Sequence, residues 1–316
     1  MALSSSAVKV ADPIRLESAY SDREAVWQKV VSHGPYPLMA GSEGYVELMG
    51  SYPLTPFFRT VWARDGVGQD EQVERLLHDG AFMQAARVLF DAEVVRPTNL
   101  IVNVMGPMHA GGRHVDTPTF RGLRREDIPM WLLVMMGMSG LFDRWSVRVA
   151  GALTWFYDDS DGEFEFWPHG LDAPSETERG PFGNVALVAD NDLMYHEVGR
   201  IGNPDAFSRD VKLTLSSTIE AVGEEGWEIR DGESTIGRLR RDQVRVSLLW
   251  KAITFVNEDA VRIHDEGVDD LNLDTIVSIF SADLVRRGLD VMDPVEPLND
   301  PAWAKALTST YMHGTA

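Results

Sequence analysis

The chain has 316 residues, of which 44% are hydrophobic and 25% charged, enough for one large core or a core with an appendage. Its formal net charge of −20 speaks against nucleic acid and anionic membranes as partners, and the one basic run, residues 236–245, is interrupted by Asp242. With no cysteine, disulfides, thiolate metal sites and cysteine nucleophiles are excluded.

The first twenty residues lack a basic segment followed by an apolar run, so no signal peptide is expected. The apolar runs are too short to span a bilayer, and the expectation is a cytoplasmic protein acting on a small molecule. Its oligomeric state is not legible. Residues 12–31 and 70–95 carry apolar residues at helical intervals and predict helices. The stretch between them, 33–66, is rich in Gly, Pro and aromatics and reads as loops and short strands.

From residue 99 the texture changes. Residues 99–105, 130–136, 147–158, 163–168, 184–190, 193–199 and 211–220 are short runs rich in Val, Ile, Leu, Thr and aromatics. Turn-formers at 158–162, 169–183 and 202–205 separate several of them. Strands in succession without intervening helices predict an antiparallel sandwich or barrel, with helices added, an α+β class. Residues 243–256 are ambiguous between strand and buried helix, while 273–288 and 300–312 predict helices. The expected division is an N-terminal helical and loop region (1–94), a β core (95–220) and a mostly helical extension (221–316).

One constellation carries chemistry. In "GGRHVDTPTFRG" (111–122), His114 and Asp116 stand two apart, so on an extended segment both side chains point to one side. Alone, such a pair is unremarkable in a chain with eight histidines. The order downstream adds weight. A strand, an acidic glycine turn and a second strand occupy 153–168, and a loop with Gly180, Pro181 and Gly183 follows. His196 then comes after a further strand and a short turn, 82 residues beyond His114. Two imidazoles and one carboxylate are the ligand set expected for non-haem iron(II), with three positions left open.

This order resembles the iron(II)/2-oxoglutarate-dependent dioxygenase superfamily over residues 99–219, without pointing to a subfamily. The resemblance implies a double-stranded β-helix (a jelly-roll, cupin-like core). It implies Fe(II) held by His114, Asp116 and His196, with 2-oxoglutarate and O2 as cosubstrates. It also implies a cation on the strand after the distal histidine, holding the far carboxylate of 2-oxoglutarate, often with Ser or Thr two residues later. Two residues compete for that place. Arg209, 13 residues after His196, can grip a carboxylate with two donors. Lys212, 16 residues after it, is followed by Thr214 at the matching offset, and alternation would set Lys212, Thr214 and Ser216 on one strand face. Arg121 is a third candidate. Asn103, if it faces inward, could hydrogen-bond the cosubstrate, and Arg59 and Trp62 could touch substrate if their segment covers the barrel mouth.

The implied activity is hydroxylation, or another oxidation, of an unactivated C–H bond in a small organic molecule, with specialised (natural product) metabolism as the setting. Desaturation, cyclisation and epoxidation would use the same ligands. Asp116 argues against halogenation, for which related enzymes leave the carboxylate's position to chloride. Two other readings stay open: a cupin-like metalloenzyme that does not use 2-oxoglutarate, and a non-enzymatic β-sandwich binding module. No G-x-S-x-G, G-x-G-x-x-G or Walker A segment is present to support a serine hydrolase, a dinucleotide enzyme or an NTPase.

Overall fold

The computed structural model describes residues 10–39, 54–223, 226–289 and 294–312. The extreme N-terminus and residues 40–53 of the loop-rich stretch lie outside the described residues. The fold is α+β, and its centre is a sheet of long antiparallel strands.

Three long apolar runs form the middle of that sheet: β5 (Val94–Met105), β7 (Ser146–Phe156) and β15 (Arg245–Phe255). β15 lies between the other two, antiparallel to both. β10 (Ala186–Ala189) and β1 (Ile14–Leu16) extend the sheet beyond β7, and β3 (Phe57–Arg64) and β4 (Val67–Gly68) extend it beyond β5. The short β6 (Thr119–Phe120) pairs with the start of β7. A second, smaller sheet contains β8 (Phe164–Trp167), β9 (Glu176–Glu178) and β11 (Tyr195–Val198), in the order β11-β8-β9. Residues 108–114 run along its free edge through the bridges Met108–Ile201 and His114–His196.

From β5 to β11 the chain passes back and forth between the two sheets, and β15 later returns to the main one, which is the winding of a double-stranded β-helix. The two sheets face one another across a core. Trp155 of β7, Leu187 of β10 and Met105 of β5 meet Phe164 and Phe166 of β8 there, together with Phe182 and Ile201.

The other face of the main sheet is covered by helices. α1 (Arg23–His33), α2 (Glu71–Leu77) and α3 (Gly80–Phe90) pack against it, each begun by an aspartate side chain accepting from the first-turn amides: Asp22, Asp70 and Asp79. Trp250 of β15 is fully buried in this layer, and its indole donates to the Leu77 carbonyl at 2.6 Å, tying the end of α2 to the sheet. A third sheet, β14-β13-β12-β2, closes one end of the same core. It comprises β2 (Tyr36–Pro37), β12 (Thr218–Val222), β13 (Gly226–Asp231) and β14 (Ser234–Arg240).

A separate apolar cluster joins α4 (Met130–Ser139), α7 (Leu273–Arg286) and α8 (Pro301–Tyr311). Two short helices, α5 (Pro204–Asp210) and α6 (Glu258–Asp265), fill connections. No helix is long and apolar enough to cross a membrane among the described residues.

The structure departs from the sequence expectations in four places. Residues 14–16 pair with β10 as a strand, and the helix expected over 12–31 begins only at Arg23, where Asp22 caps it. Residues 130–136 are helical, not a strand. Their apolar side chains fall on every side, and such a run can bury a helix on all faces once Pro129 opens it and Gly140, at φ 66°, ends it. Residues 211–217 form no strand. Finally, the ambiguous stretch 243–256 supplies a central strand, so the main sheet continues beyond the boundary expected near residue 221.

Candidate metal centre and the barrel interior

His114 and His196 face each other across the edge of the smaller sheet. Their backbones exchange a pair of hydrogen bonds, His114 N–H to the His196 carbonyl at 3.0 Å and the reverse at 2.9 Å. Their rings lie 4.4 Å apart, centre to centre. In each ring Nδ1 meets a backbone carbonyl two residues back: Gly112 at 2.7 Å for His114, Met194 at 3.0 Å for His196. A carbonyl can only accept, so Nδ1 carries the proton and Nε2 presents its lone pair. Both imidazoles are therefore in the tautomer that a metal site needs.

Asp116 completes the group. One potential ligand atom from each of His114, Asp116 and His196 lies within 4.8 Å of the others, a set able to bind iron. Oδ1 of Asp116 is 3.8 Å from His196 Nε2, and Oδ2 accepts from Lys251 Nζ of β15 at 2.6 Å. The Asp116 amide donates to the Asn191 carbonyl at 2.7 Å, fixing the segment against the β10–β11 turn. That turn approaches because β7 has Gly151 beneath it: a Cβ there would sit 3.0 Å from the Asn191 side chain.

The electrostatics suit a cation. Burial opposes the charge on Asp116, but Lys251 and His196 outweigh it and hold the carboxyl at about 2. Burial pushes the His196 imidazole below its ordinary range, against the pull of Asp116. Nearby, burial raises Asp190 to about 6 and Asp192 to about 7, although Arg148 and Lys251 respectively pull them down.

Deeper between the sheets lies a second polar feature. Alternation on β15 sends Val246, Leu248, Trp250 and Ala252 into the helix-side core, and Arg245, Ser247 and Lys251 toward the smaller sheet. Arg245 is 1% exposed. Its Nε donates to the Gly162 carbonyl at 2.7 Å, and Nη1 lies 3.9 Å from the Met105 sulfur. Among the described residues, neither the buried Nη2 nor the indole N–H of Trp155 on the neighbouring strand has a hydrogen-bond acceptor. Burial lowers the Arg245 pKa to about 10, against the pull of Tyr157 and Glu163. A buried guanidinium with an idle donor and no carboxylate hydrogen-bonded to it is costly, and an anion placed there would offset that cost. Ser247, two residues on, accepts from Asn103 Nδ2 at 3.3 Å, and Asn103 Oδ1 accepts from Arg59 Nε at 2.7 Å.

The residues singled out in the sequence thus divide. His114, Asp116 and His196 come together, and Asn103 is buried beside Ser247. Trp62 is 1% exposed within the helix-side core. Arg59 faces Asn103 instead of an open mouth. Arg121 donates to the Val268 carbonyl at 2.7 Å and pairs with Asp270, binding the C-terminal part to the β6 region.

Arg209 lies in the last turn of α5, and Lys212 is in the exposed segment after it, donating to the Ser208 carbonyl at 2.6 Å. Thr214 and Ser216 both donate to Asp231, at 2.9 and 2.7 Å, in a turn and not along a strand. Two inward cations that reasoning from the sequence missed are Arg245 and Lys251, 49 and 55 residues after His196. Arg245-Val246-Ser247, at the start of a strand, also has the cation and Ser spacing that the resemblance implies.

No protein-family model matches the sequence, and no curated protein matches it either. Several solved structures align with the chain at low identity. One is an oxidoreductase of the 2OG-Fe(II) oxygenase family from Burkholderia pseudomallei, 13% identical, with a TM-score of 0.41 over 76% of this chain and 84% of that one. A prolyl-4-hydroxylase from Pseudomonas putida is 12% identical, with a TM-score of 0.40 over 77% and 93%. HygX from Streptomyces hygroscopicus, with nickel, 2-oxoglutarate and hygromycin B bound, is 10% identical, with a TM-score of 0.37 over 77% and 83%.

Proposed function

We propose that the protein is a non-haem iron(II)/2-oxoglutarate-dependent oxygenase that hydroxylates, or otherwise oxidises, an unactivated C–H bond of a small organic molecule. The observation that carries this reading is the meeting of His114, Asp116 and His196 at the edge of the two-sheet core, with both Nε2 atoms freed for a metal. The bound iron would supply the redox chemistry with O2 and 2-oxoglutarate, giving succinate and CO2 as the oxidised carbon acquires its oxygen.

The chain's own contribution is binding and exclusion. The two imidazoles and Asp116 would hold the metal. Arg245 would grip the far carboxylate of 2-oxoglutarate through the buried Nη2, with the Trp155 N–H as a second buried donor beside it. Phe164, Phe166 and Phe182 make the surroundings of these donors apolar, which would strengthen an ion pair formed there. His114 is exposed while His196 is buried, so substrate would reach the metal from the His114 side.

The test is anaerobic addition of Fe(II) and then 2-oxoglutarate to the metal-free protein, followed in the visible region. A weak metal-to-ligand charge-transfer band is expected in the wild type and absent in His196→Ala. Folded wild-type protein that gives no band would sink the reading.

A further inference from the structure

Lys251 is the unexplained residue of this centre. It stands on the inward face of β15, six residues beyond Arg245, with a side chain only 15% exposed. Its Nζ lies 2.6 Å from Asp116 Oδ2, while Oδ1 is the oxygen toward His196. The carboxylate is thereby divided between two tasks. The backbone at Lys251 is also pinned. The β5–β15 register shifts between Lys251 and Ala252, opposite Pro97 and Asn99, and Thr98 Oγ1 donates to the Lys251 carbonyl at 3.1 Å. A bulge at this place re-aims the neighbouring side chains, and Pro97 has no N–H to contribute to a regular ladder. Across the sheet Lys251 faces Gly151, which presents no side chain to obstruct it.

From this geometry we infer that Lys251 is a positioning residue that keeps Asp116 a one-oxygen ligand. The inference rests on the metal reading above. A free carboxylate beside a divalent cation can swing to offer both oxygens and so occupy one more coordination position. An ammonium held on Oδ2 opposes that swing, because the second oxygen would have to leave a short, charge-assisted hydrogen bond. The positions that 2-oxoglutarate needs for its two-point attachment then stay open. Lys251 also brings its positive charge to a set whose only formal charge is the Asp116 carboxylate.

The experiment uses Co(II) as the probe metal in the full-length protein, read by visible absorption, with 2-oxoglutarate affinity measured on the Co(II)-loaded form. In Lys251→Met, Co(II) is still taken up, its absorption changes because Asp116 contributes a second oxygen, and 2-oxoglutarate binds about tenfold more weakly. Lys251→Arg, which keeps a charge and donors for Oδ2, returns the spectrum toward the wild type. Should Lys251→Met not fold, Lys251→Gln is compared with Lys251→Arg, and the same contrast is expected between them.

Identical spectra and 2-oxoglutarate affinities in all folded variants would overturn the inference alone. So would loss of Co(II) uptake in Lys251→Met with the fold intact, since the lysine would then build the site and not limit one ligand. Wild-type protein that takes up no Co(II) would overturn the metal reading, and this inference with it.

Discussion

The two faces of β15 are built to opposite rules. Toward the helices it presents Val246, Leu248, Trp250 and Ala252, all at most 1% exposed, and the one polar atom among these side chains, the Trp250 indole N–H, has a partner. Toward the smaller sheet it presents Arg245, Ser247 and Lys251, and Lys251 pairs with Asp116 of the candidate metal group. Burial of apolar surface stabilises the first face, while the second carries a desolvated charge whose donors are only partly used. One face holds the fold together. The other leaves buried polar groups only partly satisfied, which is where the proposed function places the cosubstrate.

That contrast can be broken at several points, beginning with the largest effect. Trp250→Ala removes the anchor of the helix-side face and should cost about 3–5 kcal/mol in denaturant unfolding. Per folded molecule, its 2-oxoglutarate affinity should stay that of the wild type. Arg245→Met makes the opposite trade: replacing a buried, under-bonded charge with an apolar side chain should leave the melting temperature of ligand-free protein unchanged or raise stability by about 1–4 kcal/mol. A large loss of stability there would mean that the guanidinium is a structural strut.

Asp192 tests the rim of the inward face. Its carboxyl is raised to about 7 in the folded protein, mainly by burial, from a reference of 3.8. The folded state therefore holds a proton that the unfolded state releases, and stability falls as pH rises through about 4 to 7. Asp192→Asn should gain about 4 kcal/mol at pH 8 and nothing near pH 4, as read by thermal melts at the two pH values. A gain that is equal at both would mean that Asp192 is ionised throughout. The smallest effect belongs to the outer cations. Lys212→Ala and Arg209→Ala lie in and after α5 and should leave 2-oxoglutarate affinity unchanged.

The metal group was legible because its information is local and ordered. His114 and Asp116 stand two apart in one short segment, and His196 of β11 is bridged to His114 at the sheet edge. The jelly-roll core was legible for the same reason. The proposed anchor, Arg245, was not, because the resemblance placed a cation soon after His196. The chain instead spends the interval on α5 and the β12-β13-β14 sheet before β15 enters the main sheet. Lys212, Thr214 and Ser216 imitate a polar strand face, yet their partners are Ser208 and Asp231 in local turns. Lys251 carried no sequence signal at all, since its role depends on a carboxylate 135 residues away.

The central claim is that the inward face of β15 receives the cosubstrate. Calorimetric titration of 2-oxoglutarate into Mn(II)-loaded protein tests it most directly, with wild type, Arg245→Met and Lys212→Ala compared under identical conditions. Arg245→Met should weaken binding by about 2–5 kcal/mol, about 30-fold or more, while Lys212→Ala matches the wild type. Wild-type affinity in Arg245→Met, or a loss confined to Lys212→Ala, would contradict the account.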